Sequence, residues 1–257
     1  MDRFTTSDGV AIAYHEFPPA GPAADLPTVV LQHGFAADSA ANWVAPGVVA
    51  ALTAAGRRVL AVDARGHGAS DKPHDPARYG EGRMARDITE LLGALAIPEI
   101  DLVGYSMGGI ISLIVASTDG RVRRLVVGGI GAGVAEMGGV ERRHLDTTAL
   151  AAALRAEDPA TIVDPVAKSF RRFAESTGAD RFALAAQAER VHRSGIALSD
   201  ITAPTLVLVG VADPLAARPE VLAAAIPDAI VRLIGGDHLG AVASPDFAPS
   251  IVSFLAA

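Results

Sequence analysis

The chain has 257 residues and a formal charge of −7; half of its residues are hydrophobic and a fifth are charged. Its negative balance argues against a phosphate-backbone partner. With no cysteine, it has no disulfides, no thiolate metal site and no cysteine nucleophile. No apolar run approaches the length of a membrane span, and Met1-Asp2-Arg3-Phe4-Thr5-Thr6 lacks the apolar core of a signal peptide. The expectation is a cytoplasmic protein acting on a small molecule, with neither nucleic acid nor membrane as partner.

Arg3–Thr6 and Val10–Phe17 read as strands joined by a tight turn at Ser7-Asp8-Gly9. The proline-rich stretch 18–22 reads as a surface loop. Thr28–Gln32 is a continuous apolar run of the kind covered on both faces of a sheet. It stops at His33-Gly34-Phe35, and a helix is expected over about 45–55. Arg58–Val62 is the next buried strand, ending at Asp63-Ala64-Arg65-Gly66-His67-Gly68-Ala69-Ser70. Residues 82–95 have helical periodicity, with Met84, Ile88, Leu91, Leu92 and Leu95 on one face.

Then comes the stretch that organises the rest. Ile100-Asp101-Leu102-Val103 reads as a short buried strand, Gly104-Tyr105-Ser106-Met107-Gly108-Gly109 as a turn, and Ile110–Ala116 as a helix. A strand that turns at once into a helix brings two backbones together, and side chains at 104 or 108 would block that approach. Ser106 would then project from a sharp, strained turn beside a helix N-terminus.

Leu125–Gly129 is a further buried strand. From about Gly133 to Ser199 the pattern is helical, near 147–157, 160–177 and 180–194. Alternation then resumes with a strand at 205–209, a helix at 219–225, a strand at 230–234 and a helix at 245–255. This predicts an α/β, mostly parallel, doubly wound sheet of about eight strands. Residues 1–133 and 200–257 would form its core, and 134–199 a helical cap inserted late in the sheet.

Functional groups of an open parallel sheet gather at the carboxyl ends of its strands. Ser106, His33, Asp213 and His238 all fall at such ends. A serine hydroxyl becomes a useful nucleophile when an imidazole takes its proton, and the imidazole needs a carboxylate to hold its tautomer. Ser106, Asp213 and His238 follow one another in the chain order expected for this architecture. Asp213 could instead cap the helix after it. Asp237 and Asp63 are rival acids, and His33 and His67 rival bases; His33 is better placed to shape its loop. The backbone N–H groups of Phe35 and Met107 are the natural oxyanion donors, and their side chains candidate apolar walls of the substrate site. The histidines show no metal-ligand spacing, and no cofactor is implied.

Gly-Tyr-Ser-Met-Gly-Gly, His-Gly-Phe, Asp-Ala-Arg-Gly-His-Gly-Ala-Ser and Gly-Asp-His-Leu together resemble the α/β-hydrolase fold family over about residues 3–255. The chain is most similar to small bacterial esterases and cofactor-free haloperoxidase-like enzymes. The resemblance implies Ser106 as nucleophile, Asp213 as acid, His238 as base, and Phe35 and Met107 as oxyanion donors. Epoxide hydrolases and haloalkane dehalogenases of this fold use an aspartate nucleophile, where this chain has Ser106. The expected activity is hydrolysis of small to medium carboxylic esters or lactones. The alternatives are a carbon–carbon hydrolase or lyase using the same triad, favoured if cap arginines 171, 172, 181, 190 and 193 face a dicarboxylate, or a non-catalytic ligand receptor.

Overall fold

The computed structural model describes residues 1–21 and 26–256; Pro22, at the end of the expected loop, lies outside the described residues. Eight strands form one sheet: β1 (Asp2–Thr5), β2 (Ala11–Phe17), β3 (Thr28–Gln32), β4 (Val59–Val62), β5 (Ile100–Tyr105), β6 (Val122–Gly128), β7 (Thr205–Gly210) and β8 (Ala229–Ile234). Their order is β1-β2-β4-β3-β5-β6-β7-β8. The two pairings made by β2 are antiparallel and the rest are parallel. Every residue of β3, β4, β5 and β7 is buried, which is why these strands read as unbroken apolar runs.

Helices cover both faces. α1 (Val48–Ala54) and α9 (Phe247–Ala256) pack on one face through Val48, Leu52, Phe247 and Ile251. α2 (Glu81–Ala94), α3 (Met107–Thr118) and α8 (Pro219–Ala224) cover the other, through residues such as Ile88, Ile110 and Leu222. α1 starts later than the sequence suggests. A five-residue π-helical turn, Ala40–Val44, precedes it and carries the buried Asn42.

Between β6 and β7 the chain forms α4 (Ala132–Met137), α5 (Thr147–Arg155), α6 (Pro165–Ser176) and α7 (Arg181–Ala188). Asp146, Asp164 and Asp180 cap the last three, each accepting backbone N–H bonds in the first turn. The Asp164-Pro165 pair delays α6 to 165, because proline suits the first helical position and its predecessor an extended one. α7 stops at Ala188, short of the expected 194, and α4 carries no strong periodic signal. These helices have a core of their own, including Leu150, Leu154, Phe170 and Leu184, which meets the sheet through Ala36 and Leu215.

The elbow strand is anchored at its start. Asp101, wholly buried, accepts from Arg57 and, at 2.6 Å, from Arg123, and both arginines reach the carbonyl of Leu255 on α9.

Candidate active site

The turn from β5 into α3 holds Ser106 at φ 53° and ψ −115°. A non-glycine residue there is strained, and the surroundings must hold it. They do so by close approach. A Cβ on Gly108 would run into the carbonyls of Gln32 and His33, and one on Gly104 into the carbonyl of Gly108. The Ser106 N–H is fixed to the Gly128 carbonyl at 2.8 Å.

Two loops from the far side of the sheet arrive at the hydroxyl. Ser106 Oγ lies 2.9 Å from His238 Nε2, and His238 Nδ1 lies 2.8 Å from Asp213 Oδ2. A proton on Nδ1 directed at the carboxylate leaves the Nε2 lone pair facing the serine, so the ring can receive its proton. Asp213 does two jobs: Oδ1 accepts the Leu215 N–H at 2.9 Å, capping the short 3-10 turn Pro214–Ala216, while Oδ2 faces the imidazole. The rival Asp237 is exposed and accepts the Gly240 N–H at 2.8 Å. Tyr105, next to Ser106, donates its hydroxyl to the His238 carbonyl at 2.6 Å. Burial pushes this phenol well above its usual range, so it remains a donor.

Gly34 backs onto Ser106, where an added Cβ would stand 3.4 Å from the serine Cβ. In the loop that follows β3, the Gly34 N–H is taken by Asn42 Oδ1 at 2.9 Å and the Ala36 N–H by His67 Nε2 at 3.2 Å. The Phe35 N–H between them has no acceptor among the described residues, and neither has the Met107 N–H at the start of α3. A negative oxygen on a carbon attached to Ser106 could accept from both.

His33 and His67 are fully enclosed, and burial pushes both imidazoles down from 6.5, His67 to about 3. His33 Nε2 accepts the Ala64 N–H at 2.9 Å, and its Nδ1 faces the Gly34 carbonyl at 2.8 Å. His67 Nδ1 faces the Arg65 carbonyl at 3.0 Å. Both rings are therefore neutral braces of the loop. Asp63 is occupied by the N–H groups of Ser39 and Ala69, at 2.9 and 2.8 Å, and by His15 at 3.3 Å.

Two chambers meet at Ser106 and His238, with Phe35 and Phe170 standing between them at 6.0 Å, edge to face. The inner one, under α4, α5 and α7, is walled by residues such as Met107, Ile110, Ile130, Val134 and Leu150. The outer one opens between the Phe35 loop and Leu239–Ala243. Among the described residues, no three His, Asp or Glu side chains converge as metal ligands do, and no helix is long and apolar enough to cross a membrane.

A family model described as the α/β hydrolase fold matches residues 27–138. A solved hydrolase from Pseudomonas aeruginosa superposes with a TM-score of 0.78 at 30% identity, over 100% of this chain and 98% of that one. The chain belongs to the α/β-hydrolase fold family. Among curated relatives of this α/β-hydrolase are an sn-1-specific diacylglycerol lipase of Danio rerio, 38% identical over 49% of this chain, and a non-heme chloroperoxidase of Streptomyces lividans, 36% identical over 49% of it. The matches span 38% and 44% of those relatives, so the chain spans less than half the length of each.

Sequence reasoning about this α/β-hydrolase missed Asn42, Phe170, Glu81 and Gln187, which reach the site from distant parts of the chain. Only Tyr105, inside the elbow motif, had a local signal.

Proposed function

We propose that this α/β-hydrolase cleaves small to medium carboxylic esters or lactones through an acyl-Ser106 intermediate. The carrying observation is the relay of Ser106 Oγ, His238 Nε2, His238 Nδ1 and Asp213 Oδ2, at 2.9 and 2.8 Å. His238 takes the hydroxyl proton as Ser106 attacks the carbonyl carbon. The oxyanion so formed accepts from the Phe35 and Met107 N–H groups. Collapse breaks the bond to the alkoxy oxygen, which leaves as the alcohol with the proton from His238. His238 then takes a proton from water, whose oxygen attacks the acyl carbon; collapse breaks the bond to Ser106 Oγ, which takes that proton back from His238 as the carboxylic acid leaves. The helices of 134–199 act as the cap, and Phe35 and Met107 line the substrate site.

The carbon–carbon reading is not favoured by the feature it needs. Among the described residues lining either chamber there is no lysine or arginine. Arg171 and Arg181 instead donate to carbonyls at the end of α5, those of Ala153, Leu154 and Ala156, at 2.7–3.1 Å.

The test is hydrolysis of 4-nitrophenyl acetate, butyrate and octanoate by the protein and by Ser106→Ala. Turnover by the former and a loss of several orders of magnitude in the latter support the mechanism. Turnover of none of the three by the folded protein would sink it.

A further inference from the structure

Apart from Ser106 and His238 at its mouth, the inner chamber is hydrocarbon except at three polar side chains: Glu141, Gln187 and Glu81. Glu141 is engaged by the Arg143 guanidinium, at 2.6 Å through Nε. The other two are not matched in this way. Gln187, on α7, is 1% exposed, and its Oε1 has no hydrogen-bond partner among the described residues. Its Nε2 rests against the sulfur of Met107 and lies 3.8 Å from that of Met84. Glu81, at the start of α2, is 2% exposed; it accepts the His192 N–H at 2.6 Å and makes no ion pair with any described residue. Burial pushes its carboxyl up to about 7.

Leaving a buried carbonyl oxygen without a donor costs far more than placing a methionine or leucine there. None of the proposed steps uses Gln187 or Glu81. Gln187 Oε1 is an orphaned acceptor in the wall of the cavity, so what it lacks is a donor, whereas Glu81 already accepts the His192 N–H. A ligand entering the chamber could bring it.

We infer that the inner chamber receives an acyl chain bearing a hydroxyl group that donates to Gln187 Oε1, so that the preferred substrates are esters of hydroxylated acids. This rests on the ester-hydrolase reading above and narrows its substrate class. A hydroxyl supplies the missing donor without carrying a charge into an apolar cavity, as an ammonium would. The acyl side is the one that suits this chamber. The alcohol departs first and needs an exit, which the outer chamber provides, whereas the acyl chain stays on Ser106 until water arrives. The amide lies against the side chain of Met107, the residue beside Ser106, which places the hydroxyl beyond the first carbons of the chain.

The experiment compares kcat/KM for 4-nitrophenyl hexanoate with its 3-hydroxy, 6-hydroxy and 6-amino derivatives, in the protein, Gln187→Met and Gln187→Glu. One hydroxy ester should exceed hexanoate by roughly tenfold or more, the worth of a well-made buried hydrogen bond. Gln187→Met, similar in length but without the oxygen, should bring that ratio close to one, while Gln187→Glu, which retains an acceptor, should preserve part of it. Calorimetry on Ser106→Ala with hexanoate and 6-hydroxyhexanoate reads the chamber without turnover. Tighter binding of the hydroxy acid with no ester hydrolysed would overturn the hydrolase reading and leave the chamber assignment standing. Hydrolysis with no hydroxyl advantage in rate, a stronger preference for the amino ester, or an advantage that survives in Gln187→Met would overturn the assignment.

Discussion

Replacing Glu81 by glutamine should stabilise the protein at pH 8 and change it little at pH 5. Burial raises the carboxyl from 4.5 to about 7, opposed only by its own backbone N–H and that of His192. Because the folded-state value lies above the unfolded one, the stability Glu81 allows is fully present below about 4.5 and is lost as pH rises through 7. At about 1.4 kcal/mol per pH unit across that interval, the buried charge costs about 3 kcal/mol at pH 8. Glutamine matches the shape, and its oxygen can still accept the His192 N–H, so the substitution removes the charge alone. In a domain of this size the gain corresponds to roughly 6–12 °C in Tm. His67 acts in the opposite sense. Burial holds its imidazole at about 3, so the unfolded chain takes up a proton below about 6.5 that the folded chain refuses. Stability from this group therefore falls on acidification, by about 2 kcal/mol at pH 5. Between pH 5 and 7 the two slopes oppose each other in the native protein, and Glu81→Gln should expose the acid lability due to His67. The assay is unfolding of both proteins by heat and by urea at pH 5, 6, 7 and 8. A stability difference that stays constant across that range would refute the reasoning.

Three further outcomes follow from the site. Asp213→Asn should lower kcat by roughly 10³–10⁴-fold, because an amide can hold the wrong imidazole tautomer, and 4-nitrophenyl ester kinetics check it. Tyr105→Phe leaves the His238 carbonyl without its 2.6 Å donor; it should cost about 1–3 kcal/mol of stability and reduce kcat more than it raises KM, as measured by unfolding and steady-state kinetics. Asn42→Ala frees the Gly34 N–H now held at 2.9 Å and loosens the Phe35 loop; kcat should fall about tenfold or more with KM nearly constant, since the loss is felt at the oxyanion.

What could be read in the chain was whatever depends on near neighbours. The eight strands and most of the helices between them rest on local periodicity, and Gly104 answers to the Gly108 carbonyl four residues on; Gly108 itself answers to the carbonyls of Gln32 and His33, which only the pairing of β3 with β5 brings near. Ser106, Asp213 and His238 could be nominated because parallel topology brings strand ends to one edge. Their 2.9 and 2.8 Å contacts were decided by the packing of β5, β7 and β8. Other features had no local signature at all. Asn42 holds the Phe35 loop because a π-helical turn aims it there. The chain leaves helical geometry after Ala188, and the freed His192 N–H answers the Glu81 carboxylate 111 residues away. Gln187 and Glu81 share a wall only once α7 lies over α2 and α3. Local sequence specifies which backbone a segment prefers. Which buried polar atoms find partners, and which are left waiting for a ligand, depends on contacts between distant segments that only the assembled tertiary structure makes.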